Sequence, residues 1–325
     1  MKKCENDGLV VIRFGYGLGT QMFYYALYRA LQIKGINVYL DDWFWRKMER
    51  KPHETYKLDY FGIFENDLNI MKFEEYKDLI DIGLWTFEGK YYKNKNKLLF
   101  YHYLKRAGIL IHKCLNIEYK IKDTYYIERL VKKPIPVIDK TTRIYLQGIL
   151  QSYKYCENIR DNLLDEYSFN LKIQKNVENY LDDIRQNNSV SISLRRGDFV
   201  GNKDLDICTM RYYNNAINYI QERKENVKFY IFTNDIDYAK AYFSFLKNKI
   251  IIDNTKERYA DYCDLFLLKN TKYNIICNSS FAWWGAWLNC NPQKIVIVPE
   301  IWRGTNKYFV DPDYIYPPEW IRLGL

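Results

Sequence analysis

The stretch Val10–Asp42, VVIRFGYGLGTQMFYYALYRALQIKGINVYLDD, decides how the chain is read. Val10–Phe14 is a short run of mostly β-branched and aromatic residues, which favours a strand. Gly15-Tyr16-Gly17-Leu18-Gly19 follows, and Met22, Phe23, Ala26, Leu27, Ala30 and Leu31 then recur at helical spacing. Gly35 stops that helix, and Asn37–Leu40 is a second strand closed by Asp41 and Asp42. A β–turn–α–β unit of this kind opens a nucleotide-type α/β domain.

The second half repeats the alternation. Strands are expected at Val190–Leu194, Val227–Phe232, Ile250–Ile252, Tyr273–Cys277 and Ile295–Val298. Between them, helices are expected at Met210–Ile220, Arg258–Leu268 and Phe281–Leu288. Such alternation gives a parallel sheet covered on both faces. Arg143–Leu146 reads as a strand and Ser152–Leu164 as a helix, while Trp43–Val137 mixes helical patches such as Leu68–Ile80 with a basic segment. A chain of 325 residues is long enough for two domains, expected over residues 1–155 and 156–325 and facing each other across a cleft. The fold class is therefore α/β, with two parallel-sheet domains.

Hydrophobic residues make up 48% and charged residues 27%, the composition of a soluble globular protein. That excludes a disordered tail, a collagen and a small disulfide scaffold. No run of about 18 apolar residues occurs, so no transmembrane helix is expected. Lys2, Lys3, Glu5 and Asp7 argue against a signal peptide. The seven cysteines are odd in number and lack C-x-x-C spacing, which fits a reducing cytoplasm. His53, His102 and His112 lie outside the loop motifs and lack a second ligand at helical spacing, so they are expected to be packed or solvated.

The net charge of +9 is concentrated. Residues 90–133 hold 12 Lys/Arg against 3 Asp/Glu, and the rest of the chain is neutral. Tyr91, Tyr92, Tyr101 and Tyr103 lie inside this segment. It is either a solvated basic face or a contact for an anionic partner such as membrane headgroups, nucleic acid or a phosphorylated glycan carrier.

In a parallel sheet, ligands bind beyond the carboxyl ends of the strands. The distinctive polar residues of this chain fall there. Gly15, Gly17 and Gly19 open a backbone free of Cβ before a helix, although Thr20 stands where the dinucleotide fingerprint wants its last glycine. Arg195-Arg196-Gly197-Asp198 follows a buried strand; two guanidinium forks fit phosphate oxygens, each charge-assisted bond being worth about 1.5–3 kcal/mol. Asp198 either braces an arginine or accepts a proton from a substrate hydroxyl. Asn278-Ser279-Ser280 precedes a helix whose first amides suit an anion. Trp283, Trp284 and Trp287 on that helix either pack a broad core, expected of two of them, or offer a face to a base or sugar. Asp204-x-Asp206 and Asp235-x-Asp237 fit the Asp-x-Asp pattern of manganese-dependent sugar transferases, but Asp235 also stands at a helix start, where a carboxylate is stabilised anyway.

These motifs together resemble a known family. Phe14–Ala26 resembles the Gly-Leu-Gly-Asn-Gln-Met-Phe-x-Tyr-Ala opening of glycosyltransferase family 11, the α-1,2-fucosyltransferases. Ser193–Phe199 resembles its His-x-Arg-Arg-Gly-Asp-Tyr/Phe motif, Phe232–Ile236 its Phe-Ser-Asn/Asp-Asp-Ile, and Asn274–Leu288 its C-terminal signature. Gln147–Tyr155 is similar to the segment before its second domain. Ser193 replaces the motif histidine and Thr20 the opening asparagine.

The resemblance implies a GT-B-type pair of Rossmann-like domains and inverting transfer of fucose from GDP-fucose to a galactoside hydroxyl in surface glycan synthesis, with no metal and no other cofactor. It implies that Arg195 meets the β-phosphate and that Ser279 and Ser280 hold the diphosphate. Asn234, Asp235 and Asp264 would shape the donor pocket, together with Ser193, Arg196 and Asn278. Gly17, Gly19 and Gln21 would line the cleft from the other domain. Asp198 is the candidate base. The partners implied are GDP-fucose and a galactose-containing, lipid-linked acceptor, with no nucleic acid. Residues 90–133 would touch the inner face of the cell membrane. A same-fold transferase with another nucleotide-sugar donor, for which Ser193 is the motive, and a non-catalytic nucleotide- or glycan-binding protein are the alternatives.

Overall fold

The protein is described from a computed structural model covering residues 8–41, 55–76, 79, 125–127, 135–148, 150–304 and 311–325. His53, His102 and His112, and the basic segment apart from 125–127, lie outside the described residues. The chain forms two compact units. The first contains Met1–Gly17, Tyr24–Lys57 and Phe64–Leu150; the second contains Leu18–Phe23, Leu58–Ile63 and Gln151–Leu325. Leu18–Phe23 and Leu58–Ile63 thus belong with the second unit although they precede it in the chain, an arrangement that a single cut in the sequence does not express.

In the first unit, β1 (Leu9–Arg13), β2 (Val38–Asp41), β3 (Tyr125–Ile127) and β4 (Arg143–Gln147) form a parallel sheet of order β2-β1-β4-β3. Val10 pairs with both Val38 and Ile144. Leu9, Val11 and Tyr145 pack with Met71, Tyr76 and Leu79 on one face. The Tyr145 hydroxyl donates to the buried Asp41 carboxylate at 2.7 Å.

Helix α1 (Leu18–Ile33) ends as its sequence dictates. Gly35 adopts φ +70° and donates to Gln32 O, while Ile36 donates to Leu31 O. This pair of bonds satisfies the last carbonyls and reverses the chain, which a side chain at Gly35 would strain. Within the patch Leu68–Ile80, expected to be helical, the described residues form an α-helix at Phe73–Tyr76 (α2), while Leu40 and Ile70 pair as a parallel bridge. Pairing to a neighbouring strand outweighs the local helical pattern there.

In the second unit, β5 (Asn188–Leu194), β6 (Val227–Thr233), β7 (Lys249–Ile251), β8 (Tyr273–Ile275), β9 (Val296–Pro299) and β10 (Ile321–Leu323) form a parallel sheet of order β10-β9-β8-β5-β6-β7. Its helices are α3 (Arg160–Glu166), α4 (Lys175–Gln186), α5 (Met210–Gln221), α6 (Ile236–Tyr242), α7 (Ala260–Asn270), α8 (Ser280–Trp287) and α9 (Pro312–Ile315). The expectation of two parallel-sheet α/β bodies is borne out. Residues 153–159, expected to be helical throughout, form two 3-10 turns before α3; the Ser152 hydroxyl accepts from Lys154 N and donates to Tyr314 O, drawing the chain out of helical register. Helix α4 adds to the expected elements, and its buried Val177, Leu181 and Ile184 carry a legible helical period.

The sheet order matters for function. From β5 the chain runs outward through β6 to β7, then returns to lay β8 on the other side of β5. The direction of travel reverses between β5 and β8, and such a switch point leaves a crevice at the carboxyl ends of the two strands. Helix α8, SFAWWGAW, is buried on every side from Ala282 to Trp287. Trp283, Trp284 and Trp287 are all core residues, so none offers a face to a ligand. A Cβ on Gly285 would lie 2.8 Å from Leu268 Cβ of α7. Gly285→Ala is therefore expected to reduce the unfolding free energy by about 1–3 kcal/mol, read from the midpoint of a urea melt with an unchanged slope.

Candidate functional site

The loop after β5 is built by its backbone. Ser193, buried near the end of β5, accepts at its carbonyl from Tyr213 Oη at 2.9 Å, and its hydroxyl lies 3.7 Å from Cys277 Sγ. Gly197 then turns at φ +60°, and a Cβ there would stand 2.6 Å from Asn234 Nδ2. Asn234 Oδ1 accepts from Arg196 N at 2.7 Å. The β6–α6 turn thus clamps the arginine loop. Asp235 caps α6, its Oδ1 accepting from Tyr238 N at 3.1 Å.

The two arginines are held differently. Arg195 donates through Nε and Nη2 to Asp198 Oδ1, at 3.0 and 2.8 Å. Both groups are partly exposed, with side chains 36% and 43% accessible, so the pair is screened and contributes little to stability. Arg196 lies 3.9 Å over the Tyr238 ring and 3.8 Å from Asp206 Oδ1, and its buried Nε has no hydrogen-bond partner. A buried donor without an acceptor costs free energy, and this one borders a small cavity lined by Arg195, Arg196, Leu205, Cys208, Tyr238 and Asn278. Asn278 is buried and donates to Leu205 O and Trp302 O. Burial holds the Cys208 and Cys277 thiols above their usual range, so both are packing groups beside the cavity.

Ser279 and Ser280 open α8, and no side chain caps it. Its other end is closed by cations: Lys294 Nζ donates to Ala286 O at 3.0 Å and Arg160 Nη2 to Trp287 O at 3.0 Å. Burial pushes Lys294 down to about 8. The helix dipole is thus neutralised at its negative end and left open at its positive end, which suits an anion. The first turn of α1, part of the same unit, lies against this open end. A Cβ on Gly19 would stand 2.4 Å from Phe281 N, Gly19 O accepts from Trp284 Nε1 at 2.9 Å, and Thr20 Oγ1 lies 3.4 Å from Ser280 Oγ. Gln21 is fully buried, and Gly17 precedes α1 without a side-chain cap.

The structure therefore gathers Arg195, Arg196 and Asn278 around one cavity, with Ser193, Asn234 and Asp235 fixing the loops behind them. Asp264 stands on α7 with a different partner, Asn254, whose Nδ2 donates to it at 2.8 Å. Burial pushes this carboxyl up to about 7. The Asp-x-Asp pairs are committed elsewhere: Asp206 accepts from Gly201 N and faces Arg196, while Asp237 pairs with Lys240 on the surface. Among the described residues, no group of three or more His, Cys, Asp or Glu side chains is placed to hold a metal ion. Tyr238 and Cys208 border the cavity without having drawn notice in the sequence; for Tyr238, its place three residues after a capping aspartate was the available signal.

Comparison with known proteins agrees with the motifs. The model of glycosyl transferase family 11 matches residues 111–324. The chain belongs to glycosyl transferase family 11. It is therefore a glycosyltransferase, as its motifs imply. Among relatives of this family 11 chain, an Escherichia coli protein named α-1,2-colitosyltransferase is 29% identical over 97% of this chain and 99% of its own. The Escherichia coli O-antigen biosynthesis glycosyltransferase WbnK is 29% identical over 94% of this chain and 98% of its own. The solved structure of the α-1,6-fucosyltransferase NodZ soaked with GDP-fucose covers 87% of this chain and 92% of its own at 12% identity and a TM-score of 0.44, a likeness too distant to carry a conclusion.

Two outcomes test this geometry. Gly19→Ala places a methyl against backbone rather than against a flexible side chain, and is expected to cost about 2 kcal/mol or more in a urea melt. Asp264 holds its proton more tightly folded than unfolded, so its contribution to stability is full below about pH 4 and is lost as pH rises through about 7. Asp264→Asn should flatten that part of the stability–pH curve; an unchanged slope would show that another group is responsible.

Proposed function

We propose that this chain is an inverting α-1,2-glycosyltransferase that moves fucose from GDP-fucose to a galactoside hydroxyl during surface glycan synthesis. One observation carries the reading. At the switch point between β5 and β8, Arg195 and Arg196 share a cavity with Asn278, and the chain runs from Asn278 directly into the uncapped start of α8. Fixed positive groups and free amides are what a departing diphosphate requires. Family membership and two near full-length relatives, one named for α-1,2 transfer and one for O-antigen biosynthesis, support the reading.

In the reaction, the bond between the sugar C1 and the β-phosphate oxygen breaks, and negative charge gathers on that oxygen. Arg195 and the first amides of α8 stabilise the charge most as it develops fully, which lowers the barrier rather than only tightening binding. The acceptor oxygen bonds to C1 from the opposite face and loses its proton. Asp198 acts chiefly as the brace of Arg195, because its Oδ1 already takes two bonds from the guanidinium. Its Oδ2 is the remaining carboxylate acceptor for the proton. Neutralisation by protein groups alone makes the transfer independent of metal and of any other cofactor. Ser193, Asn234, Asp235, Ser279, Ser280 and the Gly19–Gln21 turn complete the donor site. The acceptor is a lipid-linked glycan at the inner face of the cell membrane, and the basic charge of residues 90–133 supplies the attraction to anionic headgroups.

A second donor is favoured by one residue. Ser193 replaces the family's histidine and lies against Cys277, and a relative of this chain is named for colitosyl transfer. A colitosyl donor would then replace GDP-fucose at the same site. A thermal-shift panel of GDP-fucose, GDP-colitose and GDP separates the two donors, since a ligand at 100 times its Kd stabilises by about 2.7 kcal/mol.

The direct test is transfer to a lactose-type acceptor in the presence of EDTA. Turnover is expected, with Arg195→Ala reducing kcat by about 10²–10³. Absence of both transfer and donor hydrolysis, together with unchanged GDP binding in Arg195→Ala, would remove the reading.

A further inference from the structure

Four side chains of the second unit form a line from its interior to the start of α8. Trp302 Nε1 donates to Gln151 Oε1 at 3.1 Å. Gln151 Nε2 donates to Thr20 Oγ1 at 3.4 Å. Thr20 Oγ1 in turn lies 3.4 Å from Ser280 Oγ. Trp302 and Gln151 are buried, whereas Thr20 and Ser280 are partly exposed. Asn278, two residues before Ser280, holds the Trp302 carbonyl at 3.2 Å and so ties the origin of the line to the loop that precedes α8.

The chemistry gives this line a direction. An indole N–H only donates, so Gln151 must turn its Oε1 toward Trp302. Its NH₂ then faces Thr20, and the threonine oxygen accepts. The proton on Thr20 has one acceptor left among its contacts, which is Ser280 Oγ. Ser280 therefore accepts from Thr20, and its own O–H is turned away from Thr20, beside the uncapped amides. Without the line, a serine hydroxyl could present either a proton or a lone pair, and a lone pair facing a phosphate oxygen is repulsive.

We propose that Gln151 and Trp302 are positioning residues that set the polarity of the Ser280 hydroxyl, so that it stands as a preoriented donor to the anionic group of the substrate. This rests on the reading of the start of α8 as the site of the donor diphosphate. Neither residue touches the substrate. Their effect reaches it through Thr20 and Ser280, and a donor fixed before the charge develops needs no reorganisation during the reaction.

The test is a double-mutant cycle on the full chain, with GDP affinity measured by titration calorimetry. Gln151→Glu keeps the acceptor for Trp302 and the side-chain length, but replaces the NH₂ with oxygen. Thr20 must then donate backward and accept from Ser280, which turns the Ser280 proton inward. GDP binding is expected to weaken about tenfold or more, and the same substitution in a Ser280→Ala background should change it less than about twofold. Trp302→Phe keeps an aromatic side chain but removes the N–H and releases Gln151; a smaller loss with the same dependence on Ser280 is expected. Equal losses in both backgrounds would show a general charge or folding effect and overturn the relay. If the unaltered chain binds no GDP, the donor-site reading falls and takes the relay with it. If it binds GDP and the cycle is additive, only the relay falls.

Discussion

The backbone of Gly19 lies so close to Ser280 and Phe281 that any side chain at position 19 would collide with main-chain atoms. Much of the candidate site depends on that approach. It brings the first turn of α1 to the first turn of α8, two helix starts that carry no side-chain cap. Two sets of free amides beside one another are unfavourable unless an anion, a hydroxyl or water meets them. Thr20 and Ser280 lie at this junction, and the Trp284 indole N–H, donating to the Gly19 carbonyl, locks it.

The packing around α8 explains how the unit tolerates this. The helix is apolar on every face and is surrounded by rings, among them Phe23 4.6 Å from Trp283 and Tyr167 5.3 Å from Trp284. Burial of aromatic surface offers a large favourable term. Lys294 and Arg160 neutralise the carbonyl end, so the electrostatic asymmetry of the helix falls on its serine end. Arg195 and Arg196 stand on the loop that follows β5, the strand beside β8 in the same sheet. Their positive charge is compensated only in part, by Asp198 on an exposed edge and by Asp206 at 3.8 Å. An arrangement that leaves cationic capacity in hand is poor for stability and suited to binding an anion.

Much of this was legible in the sequence because it depends on local features. A strand followed by Gly197 or Gly19, and an Asn-Ser-Ser step before an apolar run, state where polar side chains meet the ends of strands. The two parallel sheets followed from the alternation of periods. What the sequence did not disclose depends on contacts between distant residues. Leu68–Ile80 has a helical pattern, but Leu40 takes Ile70 into a bridge. The two bonds from Arg195 to Asp198 Oδ1 are likewise invisible in the sequence. Asp235 fitted a metal motif, yet it caps α6. Gln151 and Trp302 lie far apart in the chain, and neither belongs to a motif whose spacing reveals the other.

The central claim is that the diphosphate of the donor is held at the carboxyl edge of β5 and β8. The most direct measurement is a crystal structure of the full chain with GDP. The account predicts β-phosphate oxygens about 3 Å from the Arg195 guanidinium and from the first amides of α8, with Ser280 Oγ also in contact. A diphosphate seated elsewhere, with Arg195 still paired only to Asp198 and the start of α8 untouched, would contradict it.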